Sequence, residues 1–218
     1  MKYNDYIKSN PDNFSNISML LVNSQGFNSK LPFNKEIIRN LKPDFGVFSE
    51  INMRASQADT IYENFIGYAS CSQTPDLKLS TSERLKWKPT QGFSLIYKEE
   101  WLHKVEKIRV TSRAVIVQYK LNKLRVITVG AYLPTLSSSN SEFSSALSEI
   151  KIVIQNAQNQ YKNKLCVIIG GDLNIDSRHL TSRKTIFNDF QQDLKLFHWV
   201  MEIMVLFRWS SDQLKCTD

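Results

Sequence analysis

The order of apolar and polar positions along the chain predicts strands and helices in alternation. Ile17-Ser-Met-Leu-Leu-Val-Asn23 reads as a first strand. Phe33, Ile37, Ile38 and Leu41 recur at helical spacing, and Pro43 ends that helix. Phe45-Gly-Val-Phe-Ser-Glu50 is a second, buried strand that finishes on a carboxylate. Thr60–Phe65 reads as a short helix, Tyr68–Cys71 as an edge strand, and Gly92–Tyr97 as a further strand. Ala114–Tyr119 and Leu124–Tyr132 alternate, and Lys120-Leu-Asn-Lys123 between them predicts a hairpin. A long amphipathic helix opens at Ser141, with Phe143, Leu147, Ile150, Ile154 and Ala157 on its apolar face. Leu165–Ile169 is apolar throughout and predicts a strand buried on both faces; a helix over Thr181–Leu194 follows. Strand–helix–strand order combined with hairpins predicts mixed sheets covered by helices.

Composition narrows the classes. The 218 residues suffice for one large domain, and neither a linker nor a repeat divides them. A polar arm at residues 1–16 and one domain at residues 17–218 is the simplest division. The formal net charge of +7 suits a polyanionic partner such as nucleic acid. Cys71, Cys166 and Cys216 are scattered and form no metal-ligand pattern, which suggests reduced thiols. The polar amino terminus resembles no secretory signal, and no apolar run approaches membrane-spanning length. These features predict an intracellular protein, nuclear or cytoplasmic, with no membrane partner and no evident obligate protein partner.

Three of the apolar strands end in oxygen donors: Asn23 with Gln25, Glu50, and Asp172 with Asn174. Gly170 and Gly171 let something approach the backbone closely. Continued strand alternation would project Asp172 and Asn174 to the same side. Each strand end alone reads more often as a turn than as a site. Together, carboxylates and amides without His or Cys suit a hard cation, Mg²⁺ or Mn²⁺. In Gly130-Ala-Tyr-Leu-Pro134 an aromatic hydroxyl leaves a strand just before a proline; the plain alternative is a Tyr132 that caps a core edge. The loop at residues 73–91 carries Lys78, Arg84, Lys86, Trp87 and Lys88, suited to phosphate contact and stacking or simply to solvation.

The order Val22-Asn-Ser-Gln-Gly, Phe48-Ser-Glu, Gly92-Phe-Ser-Leu-Ile, Ala131-Tyr-Leu-Pro and Gly170-Gly-Asp-Leu-Asn resembles the endonuclease/exonuclease/phosphatase superfamily. Within it the chain is most similar to the apurinic-type endonuclease domain of LINE-type (non-LTR) retrotransposons, over residues 17–197. The resemblance implies an α/β (α+β) fold of the DNase I-like type, a four-layer sandwich of two mixed sheets flanked by helices, with the site at one edge. By the same resemblance Glu50 matches the metal-binding glutamate, with Gln25 as a further ligand. Asn23 matches an asparagine that organises metal, phosphate and base. Tyr132 matches the tyrosine that hydrogen-bonds the scissile phosphate, Asp172 the aspartate that positions or deprotonates water, and Asn174 an asparagine beside the phosphate. Arg84, Lys86, Trp87 and Lys88 would contact DNA.

The chain departs from the pattern in four places. Gln25 stands where Asn or Asp is common, and Thr135 where Asn is frequent. None of His103, His179 and His198 lies in the Ser-Asp-His-type motif. Within residues 199–218, Met201–Leu206 is unusually apolar where a polar turn is expected, although Phe207-Arg-Trp209 resembles the strand that follows such a turn. The expectation is therefore a Mg²⁺-dependent DNA endonuclease of retrotransposon origin, lacking its carboxyl-terminal strands and weakened or inactive. Two alternatives stand beside it: a non-catalytic remnant that binds nucleic acid or a partner, and a phosphatase acting on a phospholipid or inositol phosphate.

Overall fold

The computed structural model describes residues 18–58, 60–74, 92–121, 124–161, 165–175 and 181–195. In chain order the elements are β1 (Met19–Asn23), α1 (Leu31–Leu41), β2 (Phe45–Ser49), α2 (Ala55–Ala58), β3 (Tyr68–Gln73), β4 (Phe93–Lys98), β5 (Val105–Val110), β6 (Ala114–Leu121), β7 (Leu124–Tyr132), α3 (Asn140–Tyr161), β8 (Leu165–Asp172) and α4 (Ser182–Asp193). Short 3₁₀ turns occupy Asn28–Lys30, Ile61–Asn64 and Glu99–Lys104. The strands form two four-stranded sheets, ordered β1-β2-β4-β3 and β5-β6-β7-β8. Each sheet is mixed: β1 pairs with β2 and β7 with β8 in parallel, and the other pairs are antiparallel.

Strand side chains alternate faces, so each strand feeds two layers. Phe45, Val47, Leu95 and Tyr97 of the first sheet meet Val115, Val117, Tyr119 and Val126 of the second in the core between the sheets. Tyr119 stacks on Phe45 at 5.1 Å, and its hydroxyl is 3.0 Å from Thr128 Oγ1. The opposite parity of the first sheet, with Leu20, Phe48 and Ile96, packs on Ile38 of α1 and on Phe27 and Phe65. That of the second sheet, with Ile116, Ile127, Val129 and Ala131, packs on Phe143, Leu147, Ile150, Ile154 and Ala157 of α3 and Phe190 of α4. The result is the expected four-layer sandwich: helices, sheet, sheet, helices.

Four details differ from the sequence reading. Leu165–Ile169 is half-buried, because β8 is the outermost strand of its sheet among the described residues. Strand β5 has no apolar alternation to announce it and is an exposed edge strand. On α1, Leu41 is exposed and Asn34 takes a buried position in the stripe with Ile38. Strand β2 stops at Ser49, one residue short of Glu50. The arm at residues 1–16, His179, His198 and residues 199–218 lie outside the described residues. No helix among the described residues is long and apolar enough to cross a membrane.

Candidate active site

Parallel pairing in register brings the strand ends together. Asn23 pairs with Ser49, Tyr132 with Asp172, and the antiparallel β6 begins at Ala114 opposite Ala131. Alternation then selects the face. Met19 and Leu21 pack into the core between the sheets, as do Val126 of β7 and Cys166 and Ile168 of β8. Continuing that parity, Asn23, Tyr132 and Asp172 all end on the inner faces at one end of the sandwich.

Glu50 reaches the same place by breaking the alternation. Strand parity would send it outward with Phe48, but its φ is 51°, in the left-handed region. Asn23 Nδ2 donates to Glu50 Oε1 at 3.1 Å and makes a longer contact of 3.5 Å with Asp172 Oδ2. Gln25 N–H donates to Asn23 Oδ1 at 3.2 Å, which turns the amide so that its NH₂ faces the carboxylates. One neutral amide therefore ties a carboxylate of the first sheet to one of the second.

Among the described residues, the non-glycine residues with positive φ are Gln25, Lys42, Glu50, Asn52, Asn174 and Lys195. Lys42 caps the carboxyl end of α1, and Lys195 follows the last turn of α4. The other four all lie in the loops at this end of the sandwich. At about 1–3 kcal/mol each, such backbone strain persists only where the surroundings enforce it. Gly171 lies at the same end. Its φ is 131°, and a Cβ there would sit 1.9 Å from Ala131 O, so β8 approaches β7 as only glycine allows.

No family model and no curated protein matches the chain. Solved structures do. The chain is similar to truncated TDP2 from Caenorhabditis elegans, at 13% identity over 76% of this chain and 65% of that one, with a TM-score of 0.55. It is similar to the AP endonuclease LMAP from Leishmania major, at 12% identity over 82% of this chain and 66% of that one, with a TM-score of 0.61. It is also similar to the 3′ phosphatase NExo from Neisseria bound to product DNA hairpin, at 13% identity over 82% and 71% of the two chains, with a TM-score of 0.54. This is the DNase I-like fold. The chain spans 65% of the truncated TDP2 chain and 50% of another TDP2 structure.

Within this DNase I-like sandwich, Tyr132 is 4% exposed. Burial raises its pKa, the negative charges of Glu50 and Asp172 raise it further, and Arg113 opposes them. The phenol therefore stays protonated above the usual range for tyrosine and is a hydrogen-bond donor. Arg113 escaped the sequence reading. It immediately precedes β6 opposite Tyr132, whose N–H donates to Arg113 O at 2.9 Å. Ser112 N and Oγ donate to Glu149 Oε2 of α3 at 3.0 and 2.9 Å and hold that turn. Only the hairpin register, counted back from Tyr132, would have singled Arg113 out.

The other candidates divide. Asn174 does not continue the strand. Its φ is 49°, its N–H donates to Asp172 Oδ1 at 3.2 Å, and its side-chain Nδ2 donates to Leu133 O at 2.8 Å. The strand ends at Asp172, so the two side chains do not project together as alternation would require. Gln25 is exposed and contributes its backbone N–H. Arg84, Lys86, Trp87 and Lys88 lie outside the described residues. The residues that flank their loop stand at the site end, where Ile51 N–H donates to Gly92 O at 3.2 Å. His103, in the turn after β4, is at the opposite end.

The donor set fits a hard cation. Among the described residues no group of three His, Cys, Asp or Glu converges; the oxygen donors at this end are the Glu50 and Asp172 carboxylates, and the Asn23 carbonyl oxygen accepts from Gln25 N–H. The ion pairs among the described residues engage Asp44, Glu100, Glu106 and Asp193, and neither Glu50 nor Asp172. Two carboxylates that share one neutral amide, and that enter no ion pair among the described residues, are suited to receive a cation. Oxygen-only ligation with a sparse protein shell suits Mg²⁺ or Mn²⁺, which keep several waters.

Proposed function

We propose that this chain is a divalent-metal-dependent phosphodiesterase that acts on DNA, an endonuclease of the endonuclease/exonuclease/phosphatase superfamily related to those of LINE-type retrotransposons. The observation that carries the reading is the convergence of Glu50 and Asp172 from separate sheets on Asn23, beside the protonated Tyr132 and the cationic Arg113. The DNase I-like fold supports it, as do the named activities of the AP endonuclease and the DNA-bound 3′ phosphatase that share it. The ordered sequence motifs support the retrotransposon relation.

Each residue has a part in this reading. Glu50, with Asn23 or Gln25, would hold a divalent ion, and a Mg²⁺ or Mn²⁺ bound there would supply charge to neutralise the phosphate and the leaving oxygen. Tyr132 donates a hydrogen bond to a phosphate oxygen, and Arg113 adds positive charge on the same side. Asp172 orients a water and takes its proton, with Asn23 fixing the carboxylate from the other sheet. Asn174 closes the turn that aims Asp172. Arg84, Lys86, Trp87 and Lys88 engage the DNA backbone and bases from the loop between β3 and β4. Low turnover is the expectation, since none of His103, His179 and His198 lies in the Ser-Asp-His-type motif that the resemblance calls for.

The test is conversion of supercoiled plasmid to nicked circle by residues 1–218 with Mg²⁺ or Mn²⁺. Nicking that EDTA stops is the expected result. DNA binding without nicking under any divalent metal would replace the enzyme with a non-catalytic binder.

A further inference from the structure

Arg183 opens α4 and is 3% exposed. Its guanidinium donates from Nη1 to Pro134 O at 2.5 Å and from Nη2 to Ser138 O at 2.7 Å, and it lies 5.0 Å from the centre of the Phe143 ring. It enters none of the ion pairs among the described residues. The placement is expensive in two ways. A buried charge with no counter-charge among the described residues carries a desolvation cost that an apolar residue would avoid. The first turn of a helix is also the end where the macrodipole disfavours a cation.

What a guanidinium offers and an aliphatic side chain does not is a planar fork with donors at fixed spacing. Here the fork clamps two carbonyls four residues apart, at the two ends of the arc Pro134–Ser138. The arc is closed internally: Ser138 N–H donates to Thr135 O, and the Thr135 and Ser137 hydroxyls are 2.9 Å apart. The preceding residue is held by β8 instead, since Leu133 N–H donates to Asp172 O and Leu133 O accepts from Asn174. The backbone at Tyr132 is thus secured by the strands, and the arc beyond it by α4. Thr135 is half-exposed there and Leu136 is 68% exposed.

We infer that Arg183 is a positioning residue whose buried fork holds the Pro134–Ser138 arc as a rigid rim beside Tyr132, against which the DNA strand next to the scissile phosphate binds. This rests on the DNA reading above. A rigid rim acts on substrate engagement more than on the chemical step, so its loss raises KM and Kd and leaves kcat nearly unchanged.

The experiment uses residues 1–218 with Arg183→Met and Arg183→Lys. A fluorescein-labelled DNA duplex is titrated in Ca²⁺ below the unfolding temperature of each variant, and hydrogen exchange is followed by peptide. Arg183→Met should weaken DNA binding about tenfold, as loss of a held geometry does. Arg183→Lys should recover little, because a single ammonium does not bridge both carbonyls as the fork does. Faster exchange should be confined to the peptide covering residues 133–139. Wild-type affinity in folded Arg183→Met would overturn the inference and mark Arg183 as a stability residue only. Full recovery by Lys would overturn it as well, since charge alone would then suffice. If the Met variant does not fold, Lys decides alone: weakened binding supports the rim, and unchanged binding refutes it. A wild-type chain that binds no DNA would overturn the DNA reading itself and the rim with it; wild-type binding that Arg183→Met leaves intact would overturn the rim alone.

Discussion

Strand β2 runs from one carboxylate to another, and the two ends treat them oppositely. Asp44, just before the strand, is 7% exposed and accepts from Ser18 N at 2.8 Å, Ser18 Oγ at 2.9 Å and Lys98 Nζ at 2.8 Å. Burial pushes its pKa up, but the hydrogen bonds from Lys98 and Ser18 and the charge of Lys98 outweigh it and hold the carboxyl below its usual value. At the other end Glu50 shares one amide with Asp172 and enters none of the described ion pairs. A carboxylate whose charge is cancelled within the fold contributes to stability and has little left for a ligand. A pair of carboxylates without such direct ion pairs gains by binding a cation. Burial alone does not separate a structural acid from a functional one; the balance of charge around it does.

The sharpest way to break this comparison is at Asp172. Asp172→Ala should lower metal-dependent nicking by roughly a thousandfold, within the range for loss of a general base, and leave the unfolding midpoint nearly unchanged. A variant that nicks at the wild-type rate would remove Asp172 from the chemistry.

At the other end the effect falls on stability. Asp44→Asn should cost about 2 kcal/mol by urea unfolding, typical for hydrogen bonds to a charged group, and leave metal affinity intact. The pH dependence has a definite sign. The folded-state pKa of Asp44 lies below the reference value of 3.8, so its contribution is present above that value. It is lost as the pH falls through the folded-state value. Acid unfolding of Asp44→Asn should be correspondingly shallower, and identical acid profiles would show that the Lys98 contact contributes nothing.

The smallest effect is expected at Glu50. Glu50→Gln keeps the shape and removes one charge, so calorimetry should show Mg²⁺ or Mn²⁺ affinity lower by roughly tenfold. The metal-free protein should be no less stable, since one of two like charges has gone. Unchanged affinity would exclude Glu50 as a ligand.

Much of this molecule is written locally. Apolar spacing places α3 with Phe143, Leu147, Ile150, Ile154 and Ala157 all buried, as expected. Alternation gives the β6–β7 hairpin, and Thr181 caps α4 by accepting from Lys184 N–H. Strand β5 was missed because an edge strand in water needs no apolar alternation. Arg183 was missed because its buried partners are backbone carbonyls, which carry no residue signature.

By itself the sequence determined the elements, the layered class and the polar strand ends, because periodicity and glycine act over a few residues. It also named Asn23, Glu50, Tyr132 and Asp172 as candidates, through their motifs. Only the tertiary structure decided which of them meet. Asn23 reaches Asp172 across 149 residues because two sheets pack with their parallel strand ends aligned. Arg113 stands beside Tyr132 because of a hairpin register, and Asn174 turns away because the strand gives out at Asp172. Those are facts of long-range pairing and backbone handedness. The same alternating pattern is compatible with either face and several partners until the sheets close, which is why the charge imbalance at one end of β2 appears only in three dimensions.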